Sequence, residues 1–149
     1  MSKLRILFLC TGNSCRSQMA EGYARALKGD SIEAYSAGIE THGLNPYAVA
    51  CMREDGVDIS GHQSTMVSDL GPIPFDHVVT VCGHADKNCP VFPGQTQVVH
   101  YGFEDPPQLA ANLGSEEEKL DCYRRVRDEI KAFIRTLPQA LAEGPPVGL

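Results

Sequence analysis

The sequence has no long hydrophobic run and little positive charge. Its first apolar stretch, 6–10, is followed by no small-residue cleavage site, and no segment approaches the roughly 20 apolar residues of a membrane helix. The 149 residues carry 13 Lys and Arg against 19 Asp and Glu, a net charge of −6, which disfavours a broad nucleic-acid surface. We therefore expect a cytoplasmic protein that binds neither membrane nor nucleic acid. A local anion site built from backbone amides stays compatible with this charge.

Closely spaced cysteine pairs of the C-x2-C kind, typical of structural zinc sites, are also missing. The six cysteines lie instead at positions 10, 15, 51, 82, 89 and 122. In a cytosolic protein such cysteines are more often catalytic, metal-binding or redox-active than structural bridges. We interpret Cys51 and Cys122, which fall in helical patterns, as packing residues, and Cys15 as a small hydrophobe turned into the core.

Hydrophobic patterns typical of strands and helices alternate along the chain. Strands are predicted over 4–10, 32–37, 78–82 and 97–101, and helices over 17–27, 46–55 and 115–137. Asn45-Pro46 and a capping box of Ser115 with Glu118 mark the starts of the last two helices. No internal repeat or linker interrupts this order. The alternation predicts a single α/β domain over 1–149, an open parallel sheet of about four strands with helices on both faces. We expect a loose tail over 142–149 and a monomeric protein.

The first strand runs into Cys-Thr-Gly-Asn-Ser-Cys-Arg-Ser at 10–17, which leads into a helix. Successive amides at a helix start form an anion-binding nest, and Gly12 is expected to let the loop curl without a Cβ. The predicted oxyanion-binding residues are Thr11, Gly12, Asn13, Ser14, Cys15 and Arg16. The Arg16 guanidinium can grip two oxygens of a tetrahedral oxyanion. This positive environment favours a nucleophilic Cys10 thiolate, to which Ser17 can donate.

Two further thiols, Cys82 and Cys89, distinguish the chemistries that such a loop allows. Arsenic(V) accepts two electrons from thiols, whereas phosphorus(V) does not under cell conditions. Since carboxyl ends of parallel strands meet at one edge, Cys82 could attack an adduct on Cys10, and Cys89 could attack the resulting disulfide. A helical 82–89 segment would separate its ends by ~10.5 Å, beyond the roughly 7 Å that a disulfide allows, so it would have to rearrange. Inert thiols, or zinc held by Cys82, His84, Cys89 and another residue, are the alternatives.

A candidate general acid follows the fourth predicted strand. Asp105 precedes Pro106, which favours extended backbone, and its carboxyl could protonate a departing oxygen. Glu104 is the weaker candidate for the same role. An exposed turn aspartate is the competing interpretation.

Taken together, these motifs resemble those of the thioredoxin-coupled arsenate reductases. The resemblance extends from residue 4 to about 135 and is carried by segments 10–17, 18–22, 36–43, 82–89, 102–106 and 125–130. It implies a flavodoxin-like fold related to the low-molecular-weight phosphatases. It implies the same roles as those given above: Cys10 is the nucleophile and Arg16 the oxyanion clamp. Ser17 is the donor to the thiolate, and Asp105 is the general acid.

The resemblance further implies a thiol relay. Cys82 would resolve the arseno-adduct on Cys10 and release arsenite, forming a Cys10–Cys82 disulfide. Cys89 would then form a Cys82–Cys89 disulfide, which thioredoxin would reduce. Phosphate and sulfate would compete with arsenate for the loop. A glutaredoxin-type partner or a small thiol is the alternative reductant.

Some members of the family bind potassium beside this loop. Asn13, Glu21 and Ser36 match the ligands, whereas Thr65 stands at the usual aspartate position. A hydroxyl is a poorer partner for a cation than a carboxylate, so we expect no required cofactor and at most a weak potassium site. His62 is a further candidate for tuning the loop electrostatically.

Two other functions compete with arsenate reduction. A phosphatase could use the same loop on phosphate monoesters, with the extra cysteines protecting Cys10. However, Pro107 and Gln108 follow the Asp-Pro pair, where phosphatases of this fold usually carry aromatic residues. A non-enzymatic redox sensor would use the Cys82–Cys89 pair to signal oxidation.

Overall fold

The computed structural model describes residues 3–92 and 96–143. Within these ranges the strands are β1 (Leu4–Cys10), β2 (Ile32–Gly38), β3 (His77–Thr80) and β4 (Gln97–His100). The helices are α1 (Arg16–Lys28), α2 (Pro46–Glu54), α3 (Gly83–Lys87), α4 (Pro106–Ala110), α5 (Glu116–Arg135) and α6 (Gln139–Glu143), with a 3-10 turn at Val67–Asp69.

The four strands form one parallel sheet in the order β2-β1-β3-β4. Successive residues of a strand point to opposite faces, and Ile6, Leu7, Phe8 and Leu9 of β1 are all 0% exposed. Both faces of the sheet are therefore covered, as expected for an all-parallel sheet. The predicted α/β fold with about four parallel strands is confirmed.

Local capping signals explain where the longer helices begin. Asn45 Oδ1 accepts the backbone N–H of Tyr47 at 2.8 Å, and Pro46 opens α2. Ser115 Oγ accepts the backbone N–H of Glu118 at 3.1 Å, so the predicted capping box opens α5. No helix within the described ranges is both long and apolar enough to cross a membrane.

The ends of two strands and three short helices differ from the prediction. β3 ends at Thr80 and β4 at His100, each earlier than predicted, and Cys82, two residues after β3, is the N-cap of α3. Helices α3, α4 and α6 have five residues each, too few to show a helical period in the sequence. Of the expected tail, positions 142 and 143 close α6, and 144–149 lie outside the described residues.

The strand order sets the position of the site. From β1 the chain crosses to β2 on one side, and β3 later pairs with β1 on the other side. Ligands of open α/β sheets bind where the order reverses, at the carboxyl ends of the strands. Cys10 ends β1, and Cys82 follows β3 by two residues, so the predicted neighbouring placement of their strands is confirmed.

Candidate active site

Residues 10–17, which we call the oxyanion loop, are held in place by hydrogen bonds to their backbone carbonyl groups. The donors are backbone amides of the segment after β2: Ile39 to Cys10 at 3.1 Å, Glu40 to Thr11 at 2.9 Å, His42 to Gly12 at 2.9 Å and Asn45 to Ser14 at 2.9 Å. The C=O and N–H of one trans peptide point in opposite directions, so the amides of residues 11, 12, 13 and 15 point to the other side. No side chain caps the start of α1 at Cys15, which leaves its first amides for an anion.

Two positions decide the curvature of the loop. Asn13 has a φ of 49°, the left-handed region that Asn tolerates, whereas Gly12 was expected to provide the curl. Gly12 is needed for space instead, because a Cβ there would overlap the imidazole of His42. Gly38 is equally constrained, since a Cβ there would overlap Glu40 O and lie 2.8 Å from Asn13 N.

The nucleophile candidate, Cys10, is 3% exposed and contacts Ser17. Its Sγ lies 2.9 Å from Ser17 Oγ, and Ser17 Oγ accepts Asn13 Nδ2 at 2.8 Å. Because the amide of Asn13 takes a lone pair of that hydroxyl, the Ser17 O–H is free to donate to the sulfur. The hydroxyl of Ser17 is thus placed to donate to Cys10 Sγ.

The amide of Gln18 extends this network to His62. Gln18 Nε2 donates to Asn13 Oδ1 at 3.1 Å and to the Gln63 carbonyl at 3.0 Å. Gln18 Oε1 lies 2.9 Å from His62 Nδ1, and because an amide oxygen only accepts, His62 must carry the proton on Nδ1. Asn13 Oδ1 also accepts the Thr65 amide at 2.8 Å. The network fixes the side chain that supports Ser17.

Arg16 and Asp105 approach each other at the mouth of the loop. Arg16 Nη2 lies 3.4 Å from Asp105 Oδ1, and Arg16 Nη1 donates to the Phe103 carbonyl at 3.0 Å. Glu104, the weaker acid candidate, pairs instead with Arg125 at 3.0 Å on the exposed surface. The structure thus places Asp105, and not Glu104, beside the oxyanion clamp.

Cys82 lies beside the loop. The thiol is 5% exposed, and its Sγ lies 3.3 Å from Thr11 Oγ1, one residue from the nucleophile candidate. The same sulfur accepts the Ala85 backbone N–H at 3.4 Å, so Cys82 caps α3 and does not end a strand. We call residues 82–89 the relay segment.

Cys89 lies at the other end of the relay segment and is half-buried. Partial burial, and secondly the charge of Asp86, raise the pKa of the Cys89 thiol. Its Sγ contacts the Pro90 carbonyl at 3.5 Å. Helix α3 lies between the two thiols.

The remaining thiols are buried or lie outside the site. Burial raises the pKa of Cys15 well above its ordinary value, and raises that of Cys51 to about 11. The Cys15 thiol is 3% exposed, so it lies in the core as a small hydrophobe. Within residues 3–92 and 96–143, no cluster of three His, Cys, Asp or Glu side chains is placed to hold a metal ion.

The residues matching the potassium ligands lie together but already have partners. Ser36 donates to Glu21 Oε1 at 2.5 Å, and Arg25 Nη2 lies 2.8 Å from Glu21 Oε2. Asn13 Oδ1 accepts two N–H groups, and Thr65 offers only a hydroxyl. A cation would have to displace Arg25 from the carboxylate. The side chains as arranged do not fit a bound potassium ion.

Four contacts of the site were not predicted from the sequence, and they involve the following residues. These are Thr11 through its contact with Cys82, Gln18 as the link to His62, Phe103 as an anchor for Arg16, and Arg25 as the cation beside Glu21. Only Arg25 had a local signal, because it lies four residues after Glu21 on one helix. The others depend on contacts between distant segments.

Comparison with known proteins agrees with this geometry. The profile of the low molecular weight phosphotyrosine protein phosphatase matches residues 5–145. The chain belongs to this family.

Within the family, two similar relatives and one solved structure are described as arsenate reductases. An arsenate reductase of Bacillus subtilis (strain 168) is 53% identical over 135 residues, covering 88% of this chain and 95% of the relative. Arsenate reductase 1 of Staphylococcus epidermidis is 52% identical over 136 residues, covering 91% and 96%. A solved structure described as an arsenate reductase in the oxidised state has a TM-score of 0.74 at 32% identity, covering 89% of this chain and 95% of that one.

Proposed function

We propose that this chain reduces arsenate to arsenite and passes oxidation through Cys10, Cys82 and Cys89 to thioredoxin. One observation carries the proposal: a second thiol, Cys82, contacts the oxyanion loop, 3.3 Å from Thr11. Hydrolysis of a phosphate ester requires a single thiol. The high identity to arsenate reductases over most of the chain supports the same conclusion.

The first step forms an arseno-adduct. The loop amides and Arg16 hold the arsenate oxygens, and the Cys10 thiolate attacks arsenic. A sulfur–arsenic bond forms as the bond from arsenic to one hydroxyl group of arsenate breaks, and that hydroxyl leaves as water after receiving a proton from Asp105. The hydrogen bond from Ser17 to the sulfur weakens as the negative charge of the Cys10 thiolate moves onto the adduct.

The second step transfers two electrons. The Cys82 thiolate attacks the Cys10 sulfur, a disulfide forms, and the electron pair of the sulfur–arsenic bond passes to arsenic. Arsenic(V) becomes arsenic(III) and leaves as arsenite. The Cys89 thiolate then attacks Cys82, the Cys82–Cys89 disulfide forms, and Cys10 leaves as a thiolate. Thioredoxin supplies the two electrons that reduce the final disulfide.

The test is a coupled assay that follows NADPH consumption with arsenate, thioredoxin and thioredoxin reductase. Wild type should turn over steadily. Cys89→Ser should release about one arsenite per chain and then stop, because the variant lacks the thiol that would attack the Cys10–Cys82 disulfide. Cys122→Ser, a thiol outside the site, is the matched control and should behave as wild type.

Other results would contradict parts of the proposal. Steady turnover in Cys89→Ser would remove Cys89 from the relay. Turnover that works with glutaredoxin and not with thioredoxin would replace the partner. No arsenate-dependent oxidation by the folded, reduced wild type would overturn arsenate reduction, and peroxide oxidation of the Cys82–Cys89 pair would then support a redox sensor.

A phosphatase is the second candidate, favoured by the family and by Cys10, Arg16 and Asp105, which suit phosphate as well as arsenate. Pro106 and Pro107 open α4 directly after Asp105, so no aromatic wall follows the acid. Rapid hydrolysis of an aryl phosphate by wild type without any reductant, and equally by Cys82→Ser, would support this second function.

A further inference from the structure

A buried hydroxyl lies at the end of β3, next to the relay segment. Thr80 is 0% exposed, and its Oγ1 lies 3.2 Å from Asp86 Oδ1 in α3. The same oxygen lies 2.8 Å from His100 Nδ1 in β4. Thr80 and His100 are also register partners on adjacent strands. One hydroxyl therefore joins two strands of the sheet to the short helix between the proposed relay thiols.

The direction of both hydrogen bonds follows from the groups involved. A carboxylate only accepts, so Thr80 donates its single proton to Asp86. The Thr80 oxygen must then accept from His100, which requires the proton on Nδ1. Gly102 gives the imidazole its room, because a Cβ there would lie 3.0 Å from His100 Nε2. The chain of donors runs from His100 through Thr80 to Asp86.

Helix α3 is short and is capped by Cys82 Sγ at its start and by the Asn88 side chain at its end. Its backbone bonds include Asp86 N to Cys82 O and Asn88 N to His84 O, each at 3.1 Å. A helix of five residues has little intrinsic stability, because nucleation is costly and few bonds reward it. The contact between Asp86 and the buried Thr80 therefore ties α3 to the rigid sheet.

The same helix opposes disulfide formation between its flanking thiols. From its N-cap Cys82 to its C-cap Asn88, α3 spans six steps, a rise of ~9 Å, and Cys89 follows Asn88. A disulfide requires Cα atoms within roughly 7 Å, which calls for at least the last turn of α3 to unwind before Cys82 and Cys89 can join. Whatever stabilises α3 consequently favours the reduced thiols.

We propose that Thr80 is a positioning residue that holds α3 in its helical form through Asp86, supported by His100, and thereby opposes the Cys82–Cys89 disulfide until Cys82 has reacted. This inference rests on the proposed relay. In the step it controls, the bond between Cys82 and Cys89 forms as that between Cys10 and Cys82 breaks, and Cys10 takes the electron pair as a thiolate.

The surroundings of Cys89 are consistent with this role. Partial burial and the nearby Asp86 carboxylate both keep this thiol protonated. Unwinding α3 would expose Cys89 and move Asp86 away, which frees the thiolate needed for attack. Holding the helix therefore also keeps the last thiol of the relay unreactive.

The test compares Thr80→Val with Thr80→Ser. Valine keeps the shape and removes the hydroxyl, whereas serine keeps the hydroxyl. All proteins also carry Cys10→Ser, so that only the Cys82–Cys89 pair is followed. The dithiol–disulfide equilibrium is measured in dithiothreitol redox buffers by differential alkylation and mass spectrometry. Thr80→Val should shift the equilibrium toward the disulfide by roughly tenfold, or about 30 mV, relative to the parent protein, which carries Cys10→Ser alone. The equilibrium of Thr80→Ser should stay near that of this parent.

A second measurement does not depend on the relay. Backbone hydrogen exchange in the reduced parent and Thr80→Val proteins should show faster exchange at residues 85–88 in the variant, and unchanged exchange in β1. If Thr80→Val fails to fold, His100→Ala changes an exposed side chain and should shift both measurements in the same direction by a smaller factor.

The outcomes separate this proposal from the relay. Equal equilibria in the parent and Thr80→Val, with a disulfide formed in both, would overturn the role of Thr80 and leave the relay standing. No Cys82–Cys89 disulfide in any protein would overturn both. Unchanged exchange at 85–88 would overturn the claim that Thr80 holds α3.

Discussion

The oxyanion loop and the relay segment lie at the same edge of the sheet but are held in opposite ways. Four carbonyls of the loop are bound by the backbone after β2, and Ser17, Asn13 and Gln18 support it from a fully buried position. The relay segment contains the five-residue helix α3, and most of its side chains are exposed. Binding a tetrahedral anion needs fixed geometry, whereas passing a disulfide along needs movement, and the backbone is built accordingly.

The largest expected effect comes from replacing the arginine of the fixed region. Arg16→Lys keeps the positive charge but loses the planar fork, which contacts Phe103 and Asp105 and which we propose holds two arsenate oxygens. We expect kcat/KM for arsenate to fall roughly 100- to 1,000-fold, as for other losses of preorganised oxyanion donors. The measurement is the coupled NADPH assay.

Arg5→Lys is the matched control, since Arg5 forms an exposed ion pair with Glu33 away from the loop. It should leave kcat/KM unchanged. A variant at Arg16 that retained near wild-type kcat/KM would contradict the assignment of the clamp.

Two glycines allow the fixed loop and the movable relay segment to be compared directly. A Cβ at Gly38 would overlap Glu40 O and press on Asn13 N, both backbone atoms that cannot move cheaply, whereas a Cβ at Gly83 meets nothing within 4 Å. Gly38→Ala should lower the free energy of unfolding by roughly 1–3 kcal/mol. Gly83→Ala should change it by less than about 0.5 kcal/mol. Urea denaturation measures both, and equal effects would contradict the contrast between fixed and movable regions.

The pH dependence of Cys89 sharpens the description of the movable region. Its pKa is raised, so the thiol stays protonated to higher pH than an ordinary cysteine. In the reduced protein, the rate of Cys89 alkylation should therefore have a midpoint above the usual value of about 8.5. Asp86→Asn removes the nearby charge and should lower this midpoint, as followed by iodoacetamide labelling and mass spectrometry. A midpoint unchanged by Asp86→Asn would show that burial alone acts.

The smallest effect concerns cations. Because Arg25 already pairs with Glu21, we expect the thermal unfolding midpoint to be the same in potassium chloride and in sodium chloride of equal ionic strength. Differential scanning calorimetry measures this. A higher midpoint specifically in potassium would show that the ion displaces Arg25.

The sequence was sufficient wherever the signal is local. The buried run Leu4–Cys10, the Asn45-Pro46 start and the Ser115/Glu118 capping box each predicted an element that the structure contains. The loop at 10–17 was recognisable because its residues are contiguous between a strand and a helix.

Contacts between distant segments were not predictable in the same way. Thr11 meets Cys82 across 71 positions, and Gln18 meets His62 across 44, so each depends on strand order and on side-chain direction. The short helix α3 was hidden for another reason. Its five residues carry no amphipathic period, and it is stabilised by a buried threonine from the preceding strand.

The sulfur of Cys82 also caps α3, since it accepts the Ala85 backbone N–H at 3.4 Å. A sulfur engaged in a disulfide is a weaker acceptor and is drawn toward its new partner, so oxidation itself removes the helix cap. The oxidation state of this one sulfur therefore determines whether the relay segment keeps its helix. A protease that cleaves after Lys87 would then cut the oxidised form faster than the reduced one.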